Sequence, residues 1–190
     1  MQRLESEKSI IPAIVTRCIH EVEQRGMDTE GIYRKSGANS LVQVIRDGFE
    51  KNPDDYDISD PDIDIHAVTS TLKQYFRKLP TPLVTFEVYD KIIESGEITS
   101  QPARVEMLRR DFQALPEVHR DVLEYLMFHL KRVVEHEKTN LMNSQNVAVV
   151  FAPTIMRPES LAREMTDVQK KNELMRFMVD NCDDIFDVEG

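Results

Sequence analysis

The chain has 190 residues, a formal net charge of −10, 41% hydrophobic and 31% charged residues. That length suits one domain with a sound core, and the composition excludes a disordered chain. No apolar run approaches the length of a membrane span, no basic stretch followed by an apolar one opens the chain, and the acidic balance weighs against nucleic-acid binding, although it permits a local basic patch.

Helical periodicity dominates. Over residues 10–25, Ile11, Ile14, Val15, Cys18, Ile19 and Val22 share one face, with Pro12 suited to a first turn and Gly26 to a stop. A short glycine-bounded loop follows. Residues 40–51 repeat the pattern through Leu41, Val44, Ile45 and Phe49, and an acidic, proline-containing connection leads to a helix over about 64–79. Thr85 is placed to cap a short helix carrying Phe86, Tyr89, Ile92 and Ile93, closed by Gly96. Further helices are predicted over 102–114 and from Pro116 to about 136, the latter with Val118, Val122, Leu123, Leu126, Leu130 and Val133 inward. The apolar segment Val147–Phe151 reads as a buried helix that starts at Asn143 and stops at Pro153, because no alternating partner strand occurs elsewhere. Asp167 precedes a last helix with Val168, Leu174, Phe177, Met178 and Cys182. The expectation is one all-α domain of about eight or nine helices.

Most site chemistries have no support. There is no GxxxxGK[ST] and no GxGxxG, so the chain carries no phosphate cradle of its own. The five histidines never fall into HExxH or a Cys/His ligand spacing, and His129 and His136, a heptad apart, read as structural or surface residues. Asp60, Asp62 and Asp64 share the spacing of half a calcium loop, but Ile65 and Thr71 stand where glycine and glutamate are needed. Cys18 and Cys182, the only cysteines, read as buried thiols with neither a metal spacing nor a disulfide framework.

The basic residues are more telling. Arg34 sits in Gly31-Ile32-Tyr33-Arg34-Lys35-Ser36-Gly37, between two helices, where a guanidinium can be pushed into another protein's active site to meet charge on a phosphoryl group. Lys73 and Arg77, four apart in Leu72-Lys73-Gln74-Tyr75-Phe76-Arg77-Lys78-Leu79-Pro80, project from one helical face; composition alone makes that a solvated face.

Three stretches together resemble the Rho GTPase-activating (RhoGAP) domain. Residues 29–37 look like its finger loop, residues 72–83 like its basic helix and proline exit, and residues 142–153 like its buried core helix. The similarity runs from about residue 10 to 187, leaving 1–9 and 188–190 as flanks, and the style of the motifs is similar to fungal multidomain members. The resemblance implies that Arg34 is an arginine finger and that its carbonyl helps hold the GTPase's own glutamine. It further implies that Lys73 faces the switch regions, that Arg77 braces the finger loop near the interface, and that Asn146 and Asn140 lie in the contact area. Gly31, Ser36 and Gly37 would support the loop. Ala152 and Thr154 depart from the glycine and asparagine that many members carry.

The implied function is acceleration of GTP hydrolysis by a Rho-family GTPase in its GTP-bound form. The chain would be a monomeric, cytoplasmic domain that is not itself an enzyme. It would bind no cofactor, since GTP and Mg²⁺ come with the partner, and no nucleic acid; any membrane recruitment would reside in segments outside it. Two rival readings are a binding-only module of the same fold and an unrelated helical scaffold.

Overall fold

The structure, a computed structural model, describes residues 11–186; the expected flanks 1–9 and 188–190 lie outside the described residues. Within them the chain is all-α, without strands: α1 Ala13–Arg25, α2 Asn39–Lys51, α3 Ile65–Arg77, α4 Phe86–Glu94, α5 Gln101–Gln113, α6 Glu117–Glu135, α7 Glu137–Asn140, α8 Ser144–Ile155, α9 Leu161–Thr166, α10 Val168–Asp180 and α11 Cys182–Phe186. The eight or nine expected helices become eleven because α7, α9 and α11 have 4, 6 and 5 residues, too short for a periodic signal to emerge.

One of the most buried helices is α8. Its β-branched residues are poor helix formers, so tertiary burial must hold it. Val147, Ala148, Phe151, Ala152, Thr154 and Ile155 are all buried, with α10 as the main neighbour, presenting Leu174, Met175 and Met178. Asn143 caps the helix by accepting from the Asn146 amide at 2.8 Å. Contrary to expectation, α8 does not stop at Pro153 but runs through it to Ile155; proline removes one ladder bond in the last turn, and the buried Thr154 and Ile155 hold that turn in place. Beyond it, the Val84 amide donates to the Ile155 carbonyl at 3.0 Å and ties the proline exit of α3 to the end of α8.

Other local expectations differ in detail. On α2, Ile45 and Phe49 are buried as expected and Leu41 is partly buried against the core, while Val42 is buried as well and Val44 is exposed. Val118 and Val168 are exposed as well, each lying in the first turn of its helix, beyond the packed stretch. Thr85 occupies the cap position of α4, yet its hydroxyl makes no capping bond and is buried without a partner. After α4 the chain continues as a 3₁₀ turn, Ser95–Glu97, so Gly96 falls inside it. The last predicted helix breaks at Asn181, leaving Cys182 in α11.

α3 lies at the centre of the functional half, packed against α1, α2 and α8. The loop from α1 to α2 therefore crosses one end of α3, which places Arg34 beside the basic helix.

Candidate functional site

The loop starts where Gly26 ends α1, its amide donating to the Val22 carbonyl at 2.7 Å. It is then wound by short-range bonds: Thr29 to Gly26 (3.1 Å), Ile32 to Thr29 (3.1 Å), and both Arg34 and Lys35 to the Gly31 carbonyl (2.9 Å each). Closing this turn takes two left-handed residues, Gly31 at φ +71° and Tyr33 at φ +70°. Glycine adopts that region freely. For tyrosine it costs on the order of 1–3 kcal/mol and persists only where the surroundings impose it.

The surroundings do impose it. Tyr33 is 0% exposed, and its ring meets Phe151 and His129 edge-on at centroid distances of 5.0 and 5.6 Å. Its hydroxyl is 2.6 Å from His129 Nε2, and its carbonyl accepts from Lys73 Nζ at 2.5 Å. His129 Nδ1 is in turn 3.0 Å from Glu23 Oε1, to which Arg132 Nε also donates at 2.6 Å. The bond from His129, reinforced by Arg132, holds the Glu23 carboxyl down to about 2. Burial pushes the His129 ring below its ordinary value despite that contact, so the imidazole is neutral.

The loop is pinned at both ends as well. Asn140, wholly buried, donates from Nδ2 to the carbonyls of Met27 (2.9 Å) and Val133 (2.8 Å) and accepts from the Met142 amide (2.8 Å). Its main-chain carbonyl receives the Gly31 amide at 2.8 Å. At the far end, the Gly37 amide donates to Ser70 Oγ at 2.9 Å, and a side chain at Gly37 would come within 2.5 Å of the Ala67 backbone. Gly37 is there for close approach to α3, and Gly31 for its φ.

What this frame leaves free is Arg34. Its side chain is exposed and makes no hydrogen bond or ion pair among the described residues. Lys35 beside it is also exposed, with its stem folded over Gly31. Below them Lys73 is buried at 6% exposure without a carboxylate, and burial, followed by the nearby Arg77 cation, pulls its pKa down to about 8. Arg77 is exposed one turn further along α3. A chain of net charge −10 thus gathers a cluster of cations that no carboxylate among the described residues pairs with, an arrangement suited to a phosphate-bearing or acidic surface.

The structure redistributes the roles expected from sequence. The brace on the finger loop comes from Lys73, not Arg77, because the residue four positions nearer the helix start lies under the Tyr33 carbonyl. Asn140 is an internal anchor rather than a surface contact, because its amide is consumed by backbone groups. Asn146 is exposed in the first turn of α8, its Nδ2 donating to the Leu141 carbonyl at 3.0 Å, and the exposed apolar side chains of Leu141 and Val149 lie at the same end of that helix. Ser36 is exposed and makes none of the bonds that hold the loop. Glu23, His129 and Arg132 were not singled out as site residues; the 96-residue separation between Tyr33 and His129 leaves no local signal.

Residues 12–160 match the RhoGAP domain family. This chain belongs to the RhoGAP family. Human N-chimaerin is 40% identical over 178 residues, covering 92% of this chain and 39% of that protein. Rat beta-chimaerin is 38% identical over 180 residues, covering 92% and 60%. Among solved structures, human Rho GTPase activating protein 15 superposes with a TM-score of 0.86 at 33% identity, over 96% of this chain and 87% of the other. The BH domain of Graf gives a TM-score of 0.83 at 34% identity, over 93% and 94%. This RhoGAP chain spans less than two thirds of the chimaerins it matches. Among its described residues no helix is long and apolar enough to cross a membrane.

Proposed function

We propose that this RhoGAP domain accelerates GTP hydrolysis by a Rho-family GTPase in its GTP-bound form by inserting Arg34 into the partner's active site. The observation that carries the reading is an exposed guanidinium, without a partner among the described residues, on a loop whose backbone is fixed before and after it. Hydrolysis is slow when no fixed cation meets the charge on the β- and γ-phosphate oxygens, and a finger supplied in trans is worth roughly 10³–10⁵ in rate. The benefit depends on preorganisation, since a donor already in place needs no reorganisation when charge develops. Here the peptide unit carrying Arg34 is held by Lys73 and by the Gly31 carbonyl before any partner arrives.

In this reading the Arg34 carbonyl helps hold the partner's catalytic glutamine, while Arg77 and Asn146 form the surrounding surface and the buried Lys73 supports the loop from beneath. GTP and Mg²⁺ arrive with the GTPase, and the domain acts as a monomer that completes a site without owning one. It works in the cytoplasm, with membrane recruitment supplied by segments outside this chain. The test is single-turnover GTP hydrolysis by a panel of purified Rho-family GTPases, with the wild type and with Arg34→Ala. Strong acceleration that vanishes in the variant is expected. Binding without acceleration by the wild type would replace this reading with that of a binding-only module.

A further inference from the structure

Tyr33 is the residue whose conformation aims the finger, and beneath it lies a hydrogen-bonded chain whose donors converge on one carboxylate. A carboxylate can only accept, so His129 Nδ1 carries the proton that meets Glu23 at 3.0 Å. In the neutral ring Nε2 is then an acceptor, and the Tyr33 hydroxyl, 2.6 Å away, donates to it. Arg132 donates from Nε (2.6 Å) to the same oxygen of Glu23 that His129 uses, and its second terminal nitrogen lies in ion-pair contact with that oxygen at 2.5 Å. Tyr33 thus donates to His129, and His129 and Arg132 both donate to Glu23. Within the buried part of the chain, the Tyr33 hydroxyl and the His129 ring nitrogens each have one partner in a compatible role. The chain starts at the half-exposed Arg132 and ends under the finger.

We propose that His129 is a positioning residue for the finger: held in one tautomer by Glu23 and Arg132, it fixes the Tyr33 phenol and thereby the left-handed turn that points Arg34 outward. This rests on the reading of Arg34 as the finger. His129 is 0% exposed, so it acts through Tyr33 and never on the partner. Ring packing alone does not do the same work. Phe151 supports one side of the Tyr33 ring, but edge contacts tolerate sliding, whereas a hydroxyl bonded to a fixed nitrogen sets how deep the ring sits. Depth sets φ, because the Tyr33 carbonyl must still reach Lys73.

The test has two arms. In the free chain, ¹⁵N spectra of the wild type and Tyr33→Phe read the Arg34 and Lys35 amides, and the ¹⁵N shifts of the His129 ring read its tautomer. The expected result is a protonated Nδ1 in the wild type and displaced or broadened Arg34 and Lys35 amides in the variant, with the far-UV spectrum unchanged. Unmoved amides would overturn the proposal whether or not the chain activates any GTPase. In the second arm, hydrolysis at saturating chain is compared with affinity for a GTPase loaded with a non-hydrolysable GTP analogue. Tyr33→Phe and Glu23→Leu should lower the maximal rate roughly 10- to 100-fold, the scale of a misplacement of about 1 Å, with affinity changed less than about threefold. Glu23→Gln should recover most of the Glu23→Leu loss, because both bonds fall on Oε1 and an amide oxygen can accept them. A loss confined to affinity, or Glu23→Gln failing as badly as Glu23→Leu, would also overturn it. Failure of the finger reading itself shows differently, as Arg34→Ala matching the wild type.

Discussion

Lys73 Nζ lies 2.5 Å from the Tyr33 carbonyl oxygen, and that oxygen belongs to the peptide unit whose nitrogen is Arg34's own. The cation on α3 is therefore coupled to the finger through one rigid plane of atoms. Two neighbours in sequence, Tyr33 and Arg34, are treated in opposite ways: one is wholly buried and bonded at both its hydroxyl and its carbonyl, the other is left to solvent. The contrast separates what holds the loop from what the loop delivers, and each can be tested alone.

Arg34→Lys should fail nearly as badly as Arg34→Ala, with acceleration reduced roughly 10³-fold or more. Lysine offers a point charge where a planar fork of donors is needed, and it gives up its charge more readily on desolvation. Because the side chain has no partner among the described residues, urea denaturation should place both variants within about 0.5 kcal/mol of the wild type. A large loss of stability would mean that Arg34 holds the loop.

Lys73 should make stability depend on alkaline pH. Burial and the Arg77 charge lower its pKa from 10.5 to about 8 in the folded chain. Between those values the unfolded state binds more protons than the folded one, so unfolding free energy rises with pH across that window. Below it, both states are protonated and the cost of the buried charge is present in full. Denaturation of the wild type and Lys73→Met between pH 7 and 10 should show the wild type gaining on the variant above pH 8. In hydrolysis assays Lys73→Met should lower the maximal rate about tenfold, because an unbraced carbonyl loosens the peptide unit that carries the finger.

Asn140→Ala should cost about 2–4 kcal/mol, measured as a shift in the urea midpoint. Three side-chain hydrogen bonds are lost and two carbonyls and an amide are left seeking partners in a buried site. Affinity for the GTPase, measured where the variant is fully folded, should change less than stability does. A variant that binds weakly but melts normally would restore Asn140 to the interface.

Gly37→Ala should be worse than Gly31→Ala. At Gly37 the new methyl meets the α3 backbone at Ala67, which cannot swing aside, so the loop or the helix must shift at a cost of about 1–3 kcal/mol. At Gly31 the new methyl meets only the flexible stem of Lys35, leaving the positive φ as the main penalty, about 1 kcal/mol. Thermal melts rank the two, and the reverse order would refute this account of why each is glycine.

The helices were legible because burial repeats at their own period, and the spacing of Lys73 and Arg77 placed both on one face. Periodicity does not say which of two residues on a face lies under a neighbouring loop, and it is Lys73 that braces the loop. The misplacement of Val44 on α2, where Val42 is inside instead, has a similar source: apolar residues on both sides of the Ile45 and Phe49 stripe blur its edge. Tyr33 could not be read at all. Nothing in a tyrosine announces a left-handed backbone, and the residues that impose it come from α3, α6 and α8, brought together only by the fold.

Because Gly31 is fastened to the end of α7, and Tyr33 and Gly37 to two points along α3, the loop arrives at an encounter already shaped. The freedom left to surrender lies in exposed side chains such as Arg34 rather than in the backbone, so ordering should contribute little to the thermodynamics of docking. Calorimetry would then show a heat-capacity change that follows the apolar area covered, without the excess that accompanies folding of a loop on contact. Recognition at this surface would be that of a rigid die meeting its blank, and the discrimination between GTPases would lie in how each accommodates a shape that does not yield.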